Sequence, residues 1–186
     1  VAGALWHDLP RPLMLRLEAL GPRGPSSSDE RDPHRAFIRE RDAQRDDLRA
    51  ERLDRALCWT REAISRGTPA SWPLLQQAQA LVLGVDAPCP FRRGPAFAKG
   101  GRERYGYAPG LEDELADKLQ ADASDDAHAL VRAARGYLDI CFYHPFDDGN
   151  ARAARLLLDA HLTAARFTPA LVAPLFVLSR PAGHRE

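Results

Sequence analysis

The apolar residues of this chain fall mainly at helical spacing. Leu130, Ala134, Leu138 and Cys141 recur every three or four residues, and Leu156, Leu157, Leu158 and Leu162 do the same, so two apolar helices flank residues 144–155. The first follows a turn at Asp122–Asp126, where Ser124 can cap, and runs to about Tyr143 as the expected core helix. The second runs to about Arg166. Upstream, Leu74, Leu75, Ala78, Leu81 and Val82 predict a packed helix opened by Ser71 and Pro73 and stopped by Gly84. Leu111, Leu115 and Leu119 step by four through an acidic helix to about Gln120. Asp29 to Arg66 is dense in both charges and predicts one helix with a solvated face, Leu53, Leu57 and Ile64 forming its buried stripe. Its Glu51–Arg55 pair has the favourable order, whereas Asp47–Glu51 is a like pair. Leu13, Leu17 and Leu20 could line a short helix ended by Gly21 and Pro22, and Ala170–Leu178, interrupted by Pro174, is expected to close the bundle. The fold class is mainly α.

Two stretches break the helical pattern. Gly21–Ser28 is rich in Gly, Pro and Ser and reads as an exposed loop at an internal boundary. Asp86–Gly110 holds too many glycines and prolines for a long helix, and a short β-hairpin is the natural solution, with Phe97 facing Tyr105 and Tyr107 around the Gly100–Gly101 pair. The expected organisation is a helical extension over residues 1–70 packed on a core over 71–178, with a frayed tail at 179–186.

Charge and cysteine content narrow the function classes. With 26 basic and 26 acidic residues the formal net charge is +0, so nothing global points to nucleic acid or an anionic membrane, and any charge selectivity must be local. Cys58, Cys89 and Cys141 have no metal-type spacing and suggest reduced thiols. No apolar run approaches the roughly 20 residues needed to span a bilayer, and Val1–Leu9 lacks the layout of a signal peptide, so a cytoplasmic location is expected.

Residues 144–155, His-Pro-Phe-Asp-Asp-Gly-Asn-Ala-Arg-Ala-Ala-Arg, concentrate the polar chemistry. His144 could act as a general base, or simply cap the helix that precedes it. Asp148 suits Mg²⁺, which takes one or two carboxylates with phosphate oxygens and water, although Asp-Asp-Gly-Asn is also an ordinary turn and cap sequence. Gly149 and Asn150 open a helix whose free amides can receive phosphate. Arg152 and Arg155, three apart, face the same side and can clamp phosphate oxygens. Two cations at a helix start oppose its dipole, which favours an anionic ligand. Phe146 is expected to plug into the core and hold the loop in register. Together these parts suit phosphate transfer, without a P-loop signature.

At these residues the sequence resembles the Fic/Doc family, whose motif reads H-x-F-x-[DE]-G-N-x-R-x-x-R. His144, Phe146, Asp148, Gly149, Asn150, Arg152 and Arg155 match it at the right spacing. The resemblance, extending loosely from about Leu74 to Leu178, implies a Fic-like helical bundle with a β-hairpin flap before the active-site loop. It implies a transferase using ATP or another nucleotide with Mg²⁺, and it favours AMP transfer to a hydroxyl of a protein or small molecule. It assigns the base to His144, the metal to Asp148, nucleotide phosphates to Gly149, Asn150, Ala151, Arg152 and Arg155, and target docking to the flap. Ala151 stands where a second glycine is usual; it keeps the amide but adds a Cβ, as Doc-like kinases, which transfer a terminal phosphate, also lack that glycine. A non-catalytic phosphate-binding protein is the rival of a different class. Many members carry an inhibitory [ST]-x-x-x-E-[GN] helix whose glutamate pairs with the second motif arginine. Ser26–Glu30 has the spacing but Arg31 follows, so a loop and cap is the expectation there, and a separate antitoxin-like partner could supply any obstruction.

Overall fold

The computed structural model describes residues 32–124, 127–167 and 175–176. The expected helix at Leu13–Leu20, the Gly21–Ser28 loop, the Ser26–Glu30 spacing, the tail and all of the closing segment except Leu175 and Phe176 lie outside these residues.

The described architecture is helical with one two-stranded antiparallel hairpin. Helix α1, Pro33–Phe37, begins with Pro at its first turn and is capped by Asp32, whose carboxylate accepts the His34 and Arg35 amides at 3.0 and 3.1 Å. It continues into a π-helical turn, Ile38–Asp42. Helix α2, Asp47–Ser65, starts afresh under an Asp46 cap that accepts the Arg49 amide. The single helix expected over Asp29–Arg66 is therefore two elements with a break at residues 43–46, because Asp46 offers the backbone an alternative partner and the Asp42 carbonyl takes the Arg45 and Asp46 amides.

Helix α3, Trp72–Leu83, ends at Gly84 in the left-handed conformation, where the Gly84 and Val85 amides return to the Ala80 carbonyl. The Arg52 guanidinium lies so close that a Cβ at Gly84 would be 2.5 Å from it. Strands β1, Ala96–Ala98, and β2, Glu103–Tyr105, pair Ala96 with Tyr105, Phe97 with Arg104 and Ala98 with Glu103. This corrects the expected facing of aromatics. Phe97 and Tyr105 are out of phase by one residue, so they point to opposite faces: Phe97 is 58% exposed and Tyr105 only 6%. Tyr107 lies beyond the strand and is exposed.

Helix α4, Leu111–Ser124, is longer than expected, and Ser124 ends it instead of capping the next: its hydroxyl donates back to the Gln120 carbonyl. The cap of α5, Ala129–Tyr143, is His128, whose Nδ1 accepts the Leu130 amide at 3.3 Å. Helix α6, Asn150–Ala164, packs most extensively on α5. Leu74, Leu75, Leu115, Leu119, Tyr137, Ile140, Leu157 and Leu162 belong to the main core between α3, α4, α5 and α6. Leu53, Leu57, Ala78, Val82 and Leu156 form a second cluster that seats α2 against α3 and α6. No helix among the described residues is long and apolar enough to cross a membrane.

A polar cluster fastens α1 to this core. Arg61 on α2 donates to both oxygens of Asp159 on α6, at 2.7 and 2.8 Å, and also to Asp32. His34 approaches the same carboxylate at 3.4 Å. Burial alone would raise the Asp159 carboxyl, but hydrogen bonds from Arg61 and His34 hold it well below the usual carboxylate range. The carboxylate therefore contributes stability that is present above about pH 4 and drains away as pH falls toward its depressed folded value. Arg61→Ala should destabilise the fold by on the order of 3 kcal/mol, because it leaves that buried carboxylate without its main partner. Denaturant unfolding of wild type and variant between pH 3 and 7 measures the loss and the onset of its decline in acid.

Candidate active site

Residues 144–149 form the turn between α5 and α6, and both ends are left-handed: His144 (φ 48°) closes α5 and Gly149 (φ 79°) opens α6. For the histidine this conformation costs roughly 1–2 kcal/mol. Several contacts hold it. Arg92, only 3% exposed, directs its guanidinium at backbone carbonyls: Nε to His144 at 2.7 Å, Nη2 to Tyr143 at 3.1 Å and to Gly106 at 2.5 Å, and Nη1 to Gly94. Its own amide donates to the Pro145 carbonyl. Asn150 closes the turn from the other side, accepting the Phe146 amide at 2.8 Å and donating to the Phe146 carbonyl at 2.6 Å. Phe146 is buried and stacks on Trp72, centroids 5.3 Å apart, while Gln79 from α3 donates to the Asp148 carbonyl.

The His144 imidazole lies against the Tyr105 ring, centroids 3.8 Å apart and planes 14° from parallel. Its Nδ1 is buried and makes no hydrogen bond of ordinary geometry among the described residues, and the ring lines the cleft. Burial, with the Arg92 charge nearby, pushes the imidazole down to about 4, so the ring is neutral at physiological pH.

Beyond it, the amides of Asn150 and Ala151 find no protein acceptor among the described residues, as befits the first turn of a helix. The Asp148 carboxylate is 59% exposed; one oxygen takes the Gly149 amide at 2.6 Å and the other sits 3.4 Å from Arg152 and 3.9 Å from Arg49. Burial first, and then the neighbouring Arg49 and Arg155 charges, lower the Arg152 guanidinium pKa against the opposing pull of the Asp148 and Asp42 carboxylates. Arg155 is satisfied. It makes a two-pronged pair with Asp42, at 2.7 and 3.2 Å, between the rings of Phe37 and Phe176, each 5.3 Å away. Two adjoining cavities, of about 480 and 640 Å³, meet at His144, Asn150, Ala151 and Arg155.

A model of the Fic/DOC family matches residues 73–162, from the first turn of α3 to near the end of α6. This segment of the chain belongs to the Fic/DOC family. A Nematostella vectensis protein named "Protein adenylyltransferase Fic" is 42% identical over 56 residues, which are 30% of this chain and 13% of that protein. The chain thus matches only a small part of that relative's length.

Within the Fic/DOC segment, His144, Asp148, Gly149, Asn150, Ala151, Arg152 and Arg155 line one cleft, and Phe97 stands at its edge on the flap. Phe146 lies beneath them, and the Asn150 side chain is committed to the loop backbone, so only its amide faces outward chemistry. Tyr107 lines a separate depression of about 340 Å³ with Arg92 and Arg93. Sequence reasoning missed Asp42, Gln79 and Arg92. Asp42 is hidden among like neighbours in a charged run, and Gln79 sits at a buried position of a packed helix, where a polar residue is itself a signal. Arg92 adjoins Pro90 and Gly94 with no periodicity to expose it.

Gly149 is required twice over: its φ is left-handed, and a Cβ would lie 2.6 Å from Gln79 Nε2. Gly149→Ala should cost about 1–2 kcal/mol from the backbone alone and more from the displaced glutamine. Denaturant unfolding checks the stability, and loss of the Gln79 side-chain amide resonances from their wild-type positions reports the displacement.

Proposed function

We propose that the chain is a Fic-type transferase that moves AMP, or another nucleotide-derived phosphate group, from a Mg²⁺-nucleotide to a hydroxyl of a protein or small molecule. The observation that carries this reading is a neutral His144 lining the same cleft as the acceptor-free Asn150 and Ala151 amides and Arg152. His144 Nε2 takes the proton of the incoming hydroxyl, whose oxygen attacks the α-phosphorus in line; the bond to the bridging oxygen breaks and pyrophosphate leaves. The amides of Asn150 and Ala151 with Arg152 receive the phosphate charge. Asp148 fits Mg²⁺ as a single exposed carboxylate; no group of three or more such ligands occurs among the described residues, as suits an ion completed by phosphate and water. When bound, the ion would supply charge neutralisation at the phosphates.

The name of the Nematostella relative supports AMP as the group moved, and so does the retained Gly149. Ala151 favours one second reading, a Doc-like kinase that transfers the terminal phosphate. In either reading Asp42 restrains the enzyme, because it occupies the arginine that the phosphates need. The hairpin is the proposed target-docking flap, with Phe97 as its exposed apolar contact. Residues 1–70 are proposed as an extension packed on a catalytic core over 71–178, and an antitoxin-like protein remains a proposed partner.

Incubation with α-labelled and γ-labelled ATP and a lysate should move the α label; movement of the γ label alone would establish the kinase reading instead. His144→Ala should abolish either transfer. Since burial holds His144 down to about 4 in the free protein, kcat/KM should stay level from pH 8 to about 5 and fall below that, whereas an acid limb near 6.5 would contradict the neutral, buried base. Asp42→Asn should raise the transfer rate several-fold in the same labelled assay.

A further inference from the structure

We propose that Tyr105, on the second strand of the hairpin, is a positioning residue for the His144 base. The inference rests on the transferase reading above and names a residue outside the loop on which the rate depends.

The argument starts from the freedom of a histidine side chain. Rotation about its second torsion is broad and roughly two-fold, so an unconstrained ring flips at little cost between two orientations, the second of which puts the Cε1 carbon where Nε2 stood. For a general base the two are not equivalent, since only a lone pair aimed at the hydroxyl can take its proton. In this fold Nδ1 is buried and makes no hydrogen bond of ordinary geometry, and the Cys141 backbone interacts with the imidazole only outside that geometry, so the hold from that side is weak. What confines it is the Tyr105 face, 3.8 Å away and 14° from parallel. A flat ring against a flat ring blocks rotation but leaves the edge free, which is the constraint a base needs.

Tyr105 can serve this way because its own place is fixed. It is buried, paired with Ala96 across the hairpin, and carried on a strand whose two neighbouring segments are tied to the histidine's own turn. Arg92 makes that tie: one guanidinium binds the Gly94 carbonyl ahead of β1, the Gly106 carbonyl after β2, and the Tyr143 and His144 carbonyls of the turn. Hairpin and base therefore share an anchor. The Tyr105 hydroxyl reaches Glu103 at 3.4 Å, while the contact with the base is made by the ring face, to which the positioning is assigned.

The alternative is that Tyr105 merely fills space. Tyr105→Leu keeps an apolar side chain but removes the ring, and Tyr105→Phe keeps the ring. In the labelled-nucleotide assay, Tyr105→Leu should lower kcat by about ten- to a hundred-fold, the scale of a small misplacement of a reacting group, while the nucleotide KM changes less than about three-fold. Tyr105→Phe should recover most of the rate. Independently of activity, the His144 ring-proton resonances of the wild-type protein, assigned by their loss in His144→Ala, should lie upfield from ring-current shielding and return toward free-histidine positions in Tyr105→Leu. Unshifted wild-type resonances, an unchanged kcat in a folded Tyr105→Leu, or a rate in Tyr105→Phe as low as in Tyr105→Leu would each overturn the proposal. Wild-type protein that transfers no label at all would instead refute the transferase reading, a separate result.

Discussion

A buried guanidinium satisfied by backbone carbonyls holds the turn between α5 and α6 together. Burying Arg92 costs free energy, and the return comes from fixing three separate stretches of chain around one planar group, with its side-chain hydrogen bonds among the described residues directed at four carbonyls. A lysine could not do this, since an ammonium lacks the planar fork that reaches carbonyls on several sides. The left-handed His144 and the glycine at the far end of the turn become tolerable only because this clamp, the Asn150 bridge and the Phe146–Trp72 stack over-determine the path between them. This framing sets the His144 ring and the acceptor-free Asn150 and Ala151 amides along one cleft.

The second organising force is electrostatic, and much of it comes from outside the family segment. Residues 32–49 contribute Asp42 to Arg155 and Arg49 to the neighbourhood of Asp148 and Arg152. That arm is held in place by the Arg61 bridge between Asp32 and Asp159, a network with nothing to do with phosphate. Docking of the arm and occupancy of the motif arginine are thus coupled through one short stretch of backbone, while the family core keeps its own apolar packing.

The helices of the core were legible because their apolar residues repeat with the helix period: Leu115, Leu119, Ile140 and Leu157 are buried where the pattern puts them. The motif was legible because its spacing is dense and its chemistry coherent. What stayed hidden depends on pairing across long sequence separations. Nothing local distinguishes Asp42 from Asp46 or Asp47, and only the tertiary fold brings it to Arg155, 113 residues away. Arg92 likewise acts through carbonyls, which carry no side-chain signature. The hairpin register failed for a different reason: a turn one residue longer or shorter exchanges the faces of every strand residue, and Gly100–Gly101 marks a turn without fixing its length. The Asp29–Arg66 helix was misjudged because charge density alone does not reveal a cap, and Asp46 is one.

The π-helical turn at Ile38–Asp42 bears on how such a protein could be retuned over evolution. A π turn accommodates an additional residue relative to the α form, and each α-helical residue subtends about 100°. Deleting one position there would let the segment relax to α geometry and swing its following side chains by about that angle, carrying the acid at its end off Arg155 without altering any residue of the 144–155 stretch. Segment length, as much as residue identity, therefore decides which side chain meets Arg155, and a single-codon insertion or loss would change it.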